Sequence, residues 1–254
     1  MSEPIIVIGI GEMGSVFTRG LLRTGHPVYP VNRNTDMDSM AKAIPNPYFV
    51  LLAVGENDLH PTLEKLPANW RKNIGLLQNE LLPRDWQQHD LKDPTVISVW
   101  FEKKKGQDYK VLVPSPAYGP RAGVLEDALS SLDIPSWEVK SEQELEFELV
   151  RKNVYILTTN IAGLVIGGTV DDLWYKNESL AREVANEVID IQQWLTGNQY
   201  DREKLIEAMV EGIKGDLEHQ CMGRSAPGRL ARAIGLADEA DLAVPKLREI
   251  HAAQ

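Results

Sequence analysis

Residues 5–20 read "IIVIGIGEMGSVFTRG". A short apolar run meets Gly9, and Gly11 and Gly14 follow at G-x-G-x-x-G spacing. Glycine triplets arise by chance in many loops, so the flanks carry the reading. The run before Gly9 has the character of a buried strand. After it, Met13, Val16, Phe17, Gly20 and Leu21 fall on one helical face. Gly25 and Pro27 stop that helix, and a second apolar run, "PVYPVN", begins at once. The order strand, turn, helix, strand is that of a dinucleotide-binding βαβ unit.

Each glycine then has a physical task. Gly9 permits the tight turn, Gly11 lets a pyrophosphate approach the backbone, and Gly14 lets helix and strand pack closely. The helix start offers free N–H groups and a partial positive charge to the phosphates. The loop residues Gly9, Ile10, Gly11, Glu12, Met13 and Gly14 are therefore the expected cofactor contacts. The second strand ends "VNRN", with Asn32 and Arg33, and no carboxylate occurs until Asp36. An NAD site places an acid here for the ribose 2′-OH, whereas a guanidinium suits a 2′-phosphate. The expected cofactor is NADP, held in part by Asn32 and Arg33.

The bulk composition is that of a soluble globular protein able to bury a core. The chain has 254 residues, 43% of them hydrophobic and 25% charged, with a net charge of −10. That balance argues against a nucleic-acid-binding surface, which needs basic stripes. A single cysteine excludes an intrachain disulfide, and no Cys/His spacing suggests a metal. The five histidines are scattered and suggest no pair. The first residues lack the pattern of a signal peptide, and no apolar run has membrane-spanning length. The expectation is a soluble, reduced, cytoplasmic protein with a small-molecule substrate, no nucleic-acid partner and no membrane partner. "VPSPAYG" is not a nucleophile elbow, so a Ser/His/Asp hydrolase has no support.

Along the first half, apolar runs alternate with helix-like segments. The candidate strands are "PIIVIG", "PVYPVN", "YFVLLAV", "NIGLLQN", "TVISVWF" and "YKVLVPS". Near residue 140 the character changes. "SEQELEFELVRKNVYILTTNIAGLVIGG" opens with a capping box, Ser141 and Glu144, and keeps helical spacing. "ESLAREVANEVIDIQQWLTGNQ" and "DREKLIEAMVEGIKGDLEHQ" are further helices, and the last helix starts near Pro245. "DDLWYKNE", at 171–178, reads as a loop, with Trp174 and Tyr175 either packing or lining a cleft. The basic run Lys103-Lys104-Lys105 reads as a solvated hairpin tip. The fold class is thus α/β. A Rossmann-type doubly wound sheet, 1–140, precedes an all-helical domain, 141–254, that holds substrate and is compatible with a homodimer.

With these motifs in place, the chain resembles the ketopantoate reductase (2-dehydropantoate 2-reductase) family, whose second domain is 6-phosphogluconate-dehydrogenase-like. The glycine loop and "NR" fit, and "LLAV" at 51–54 resembles the third Rossmann strand, implying cofactor contacts at Ala53 and Val54. "LLQNELL" resembles the family's "QNG" turn, which implies Asn79 near the nicotinamide. "VRKNVYILTTN" resembles the helix with a catalytic lysine and later asparagines, which implies catalytic roles for Lys152 and Asn160. Gly119-Pro120, Asp216, Arg224 and Pro245 fall in further stretches similar to the family's. Independently, a lysine just beyond a domain boundary can face an interdomain cleft. There an ammonium can protonate the oxygen of a carbonyl being reduced by hydride. Asn160 lies two helical turns on and is a candidate for holding a substrate hydroxyl or carboxylate. Arg121 is a weaker candidate for the carboxylate.

The departures fall mainly on the substrate side. Ile156 stands where the family has its first helix asparagine, Gly55-Glu56 where a strand usually ends in lysine, and Gly212 in place of a serine. "GRSAPGRL" carries no evident replacement for a substrate-binding glutamate. The expected activity is NADPH-dependent reduction of a small 2-keto acid. The alternative is a non-catalytic NADP-binding sensor or partner protein.

Overall fold

The computed structural model describes residues 3–254, which divide into two compact units at Glu148/Leu149. The first unit begins with β1 (Ile5–Ile8), α1 (Glu12–Arg23), β2 (Val28–Val31) and α2 (Met37–Ala43). It continues with β3 (Phe49–Leu52), α3 (Leu59–Glu64), β4 (Ile74–Leu76), α4 (Pro83–Gln87) and β5 (Thr95–Ile97). A hairpin of β6 (Phe101–Lys103) and β7 (Tyr109–Val111) follows, then β8 (Ser115–Tyr118), α5 (Ala122–Ser130) and β9 (Ser136–Glu138).

The main sheet has seven strands in the order β2-β1-β3-β4-β5-β8-β9, parallel except where β8 meets β5. Ile5 through Ile8 pair in register with Val28–Val31 on one side and Phe49–Leu52 on the other. Every residue of β1 and β3 is buried, because helices cover both faces. Ile5, Val7, Phe49 and Leu51 meet Phe17 and Leu21 of α1 and Leu125 and Leu129 of α5. Each such side chain contributes about 1.5–3 kcal/mol when withdrawn from water. Pro30 lies in β2, an edge strand, where a missing ladder donor is tolerated.

Several elements differ from the sequence expectation. "TVISVWF" is divided into β5 and β6, with Ser98–Trp100 between them. "YKVLVPS" ends as a strand at Val111, and "SPAY" starts a separate one. Pro116 in a four-residue strand hides β8 from a propensity reading. The hairpin tip is found as expected, but Lys103 is not solvated. Its ammonium pairs with Glu12 at 3.1 Å, and only Lys104 and Lys105 are exposed. The hairpin is pinned by the Tyr109 hydroxyl, which donates to the Leu132 carbonyl.

The second unit is helical, with one isolated bridge between Thr169 and Gln220. It contains most of α6 (Glu142–Ile166), then α7 (Val170–Lys176), α8 (Glu178–Thr196), α9 (Arg202–Gly215), α10 (Ala226–Glu239) and α11 (Pro245–Ala252). At the start of α6, Ser141 Oγ accepts from the Glu144 N–H. The Glu144 carboxylate accepts from the Lys140 N–H, one residue further back than an ideal box. The expected loop at 171–178 is mostly helix. Gly167 and Gly168, with φ of +62° and +65°, end α6, and Thr169 caps α7. Consecutive Asp171-Asp172 reads as a turn but here favours a helix N-terminus. Trp174 packs under the Arg182 guanidinium, 5.4 Å from the ring centre, while Tyr175 is exposed. Helix α8 touches α7, α9, α10 and α11. From it the Glu187 carboxylate accepts the N–H groups of Lys246 and Leu247, both at 2.8 Å, capping α11. No helix among the described residues is long and apolar enough to cross a membrane.

The tightest helix contact in the first unit is α1 on α5. A Cβ added at Gly20 would lie 2.3 Å from the Ala128 carbonyl oxygen. Gly20→Ala must therefore push the two backbones apart. The expected cost is about 1–3 kcal/mol, read as a lower urea midpoint with an unchanged slope.

Candidate functional site

The strand order reverses at β1: the chain goes to β2 on one side and returns to β3 on the other. Such a switch point opens a crevice at the carboxyl ends of the strands, where α/β sheets bind ligands. The glycine loop fills that place. Gly9 has φ +92°, and a Cβ there would meet the Ala53 carbonyl oxygen at 2.8 Å and Val54 Cγ1 at 3.1 Å. A Cβ on Gly14 would sit 1.9 Å from the Gly9 carbonyl oxygen. No heavy atom lies within 4 Å of a Cβ position on Gly11, so space is open above that residue. Ile10 and Met13 lean on the core, and the Ala53 N–H bonds the Ile8 carbonyl at 2.8 Å. No side chain caps α1, which leaves its first N–H groups to a ligand. The loop and the tip of β3 are thus a cradle shaped for a phosphate group.

Beyond β2, Asn32 accepts from the Thr35 N–H, and the Asn32 N–H bonds Thr35 Oγ1, closing a turn. Arg33 is exposed on that turn and makes no ion pair or hydrogen bond among the described residues. Asp36, the first acid after the strand, is already engaged. It accepts from Ser39 Oγ at 2.6 Å and from the Asp38 and Ser39 N–H groups, capping α2. The Ser39 hydroxyl and backbone bonds hold its carboxyl below the usual range. The Asp36 carboxylate is therefore turned to its own helix, while the Arg33 guanidinium makes no ion pair among the described residues.

At the end of β4, Gln78 is buried and ties two strand ends together. Its Nε2 donates to the Leu52 carbonyl at 2.8 Å and the Val54 carbonyl at 3.3 Å, and its Oε1 accepts from the Leu77 N–H. Asn79 follows, partly exposed and without a hydrogen-bond partner among the described residues. Glu80 has φ +61°, the conformation in which the resembled turn carries glycine. Arg121 sits at the opposite end of the sheet, where β3 and β5 begin. Its guanidinium covers the Tyr48 ring at 4.2 Å, Nε bonds the Tyr48 carbonyl, and its N–H bonds Thr95 at the start of β5. That packing removes Arg121 from the carboxylate-binding candidates.

The second unit buries a polar stripe on α6. Lys152 is 7% exposed, and Asn153 donates to Gln192 Oε1 of α8 at 3.0 Å. Asn160 accepts from Arg229 Nη1 at 2.9 Å and donates to the Cys221 carbonyl at 3.3 Å. Ile156, between the two candidates, is also buried. Arg229 was missed by sequence reasoning. It lies in "GRSAPGRL", where no glutamate was found, and is 8% exposed. No sequence signal marks it, because only the fold buries it and brings it to Asn160. Asp216 is buried, with the Glu218 N–H on its carboxylate, whereas Arg224 is exposed.

No protein-family model matches the sequence, and no curated protein sequence does. Solved structures do match in fold. A 2-dehydropantoate 2-reductase from Methylococcus capsulatus aligns at TM-score 0.72 with 15% identity, over 98% of this chain and 95% of that one. The dimeric ketopantoate reductase of Staphylococcus aureus aligns at 0.66 with 16% identity, over 98% and 96%. A D-mandelate dehydrogenase solved with NADH aligns at 0.67 with 14% identity, over 98% of each. The chain therefore has the two-part fold of the ketopantoate reductases over its whole length.

Cys221, which lends its carbonyl to Asn160, is buried, and burial pushes its thiol up to about 12. Ellman's reagent at pH 8 should leave the native protein unlabelled and label one thiol per chain in urea. Fast labelling of the native protein would refute the burial.

Proposed function

We propose that this protein is an NADPH-dependent reductase of a small 2-oxo acid. The observation that carries the reading is the cradle of Gly9, Gly11, Gly14 and Ala53 at the switch point, beside an unpaired Arg33. The loop residues Gly9 to Gly14 would hold the pyrophosphate, with Ala53 and Val54 flooring the site. Asn32 and Arg33 would hold the 2′-phosphate, since Asp36 is committed to its own helix. Asn79, with its carboxamide free, suits the nicotinamide end.

When bound, the reduced nicotinamide supplies hydride to the substrate's carbonyl carbon. The chain's part is to stabilise the charge that grows on oxygen and to deliver a proton. Lys152 is assigned that role, because an ammonium withdrawn from bulk water interacts more strongly with a developing oxyanion. Asn160 fixes the position of Arg229, and this pair is assigned the substrate carboxylate. An arginine in this place favours an anionic group where the resembled family uses a glutamate. The Staphylococcus aureus neighbour is dimeric, and a homodimer belongs to the proposal.

A second reading is a binding protein without turnover. It is favoured by Ile156 in place of an asparagine and by an Asn160 carboxamide already engaged at both ends. NADPH oxidation with a panel of 2-oxo acids separates the two. The reductase reading expects turnover that falls about 10²–10⁴-fold in Lys152→Ala. Tight NADPH binding with no turnover on any 2-oxo acid would select the second reading.

The cofactor claim has its own test. Arg33→Ala should raise the NADPH Kd by about 10–100-fold, the worth of a charge-assisted bond, and leave the NADH Kd nearly unchanged. Equal effects on both cofactors would place the 2′-phosphate elsewhere.

A further inference from the structure

Two of the histidines that look scattered in the sequence are neighbours in the fold. His60 stands in the first turn of α3, and His89 follows the end of α4. His60 Nδ1 and His89 Nε2 are 3.0 Å apart. The ring centres are 5.2 Å apart with planes 22° from parallel, so the imidazoles meet edge to edge. On the far side of His60, Nε2 lies 3.5 Å from Asp85 Oδ1. The Asp85 carboxylate is itself fixed, because its other oxygen accepts from the Leu82 N–H at 2.8 Å.

The backbone under this pair is held firmly. Arg71 Nη1 donates to the His89 carbonyl at 2.7 Å, and Arg71 Nη2 donates to the Leu63 carbonyl of α3 at 2.9 Å. One guanidinium thus ties the two histidine-bearing segments together. The turn after α4 closes through the Leu91 N–H on the Trp86 carbonyl. The rings, by contrast, keep room to turn, and the His60 side chain is 42% exposed.

We propose that His60 and His89 form a divalent transition-metal site, with His60 Nδ1 and His89 Nε2 as ligands and Zn²⁺ as the test ion. Two imidazoles bound to Zn²⁺ at about 2.0–2.1 Å with a tetrahedral angle have nitrogens about 3.3–3.4 Å apart. The observed separation is short of that by only a few tenths of an ångström. A small turn of each ring brings both lone pairs onto one point. Asp85 stands on the other nitrogen of His60, the place from which a carboxylate orients a metal-binding imidazole and fixes its tautomer. Water completes the coordination on the exposed side of His60. This site is independent of the reductase reading.

The test is calorimetric titration of the EDTA-treated, full-length protein with Zn²⁺ at pH 7.5, with Co²⁺ visible absorption as a second readout. The expected result is one equivalent bound. His60→Ala and His89→Ala should each weaken binding at least about tenfold, as a chelate becomes a single ligand. Asp85→Asn should weaken it about tenfold or more while both ligands remain. His251→Ala should leave it unchanged. Thermal melts check that each variant is folded, and His60→Gln replaces any that is not. No detectable binding, or full binding in the His60→Ala/His89→Ala double variant, overturns the proposal.

Discussion

The contact between Gly14 and Gly9 is the constraint on which the first unit depends. With 1.9 Å between a Cβ at one and the carbonyl oxygen of the other, no side chain fits at position 14. That closeness brings the start of α1 down onto the end of β1 and onto Ala53 at the end of β3. Only there do the uncapped N–H groups of α1 open into the crevice of the switch point. The rest of the unit supports this arrangement. Phe17 and Leu21 anchor α1 to the sheet, Gly20 seats it on α5, and Gln78 laces the ends of β3 and β4.

Two carboxylates near the loop are engaged by other groups of the protein. Glu12 would oppose a phosphate at the helix start, but Lys103 from the hairpin neutralises it at 3.1 Å. Asp36, beyond β2, caps α2 with its carboxylate. Both carboxylates are satisfied within the protein, one by a local cap and one by a lysine 91 residues away that the sequence does not announce. The second unit follows the same rule in its interior. Asn153 and Gln192 satisfy each other, and Asn160 bridges Arg229 to a backbone carbonyl. Each of these buried carboxamides finds its partner on another segment of the unit.

Much of the fold is legible in particular residues. The apolar runs at 5–8 and 49–52 announce strands covered on both faces. Gly197, with φ +72°, marks the end of α8, and Pro245 the start of α11. What was not legible has identifiable causes. Pro116 and a length of four residues concealed β8. Two glycines before an acidic pair made α7 look like a loop, although Thr169 and Asp172 cap it. Arg121, a weaker candidate for a carboxylate, packs on Tyr48, 73 positions away, a contact that no local pattern announces.

The sequence by itself determined the cradle, because a glycine that must avoid its own loop leaves a local, periodic trace. It also marked the long helices and the apolar strands, since periodicity and caps act within a few residues. Only the tertiary structure decided which polar side chains are spoken for. That Arg229 meets Asn160 and that His60 meets His89 depend on contacts 69 and 29 residues apart. These two pairings have no sequence signature, because hydrogen bonds between segments are set by how helices pack and not by spacing along the chain.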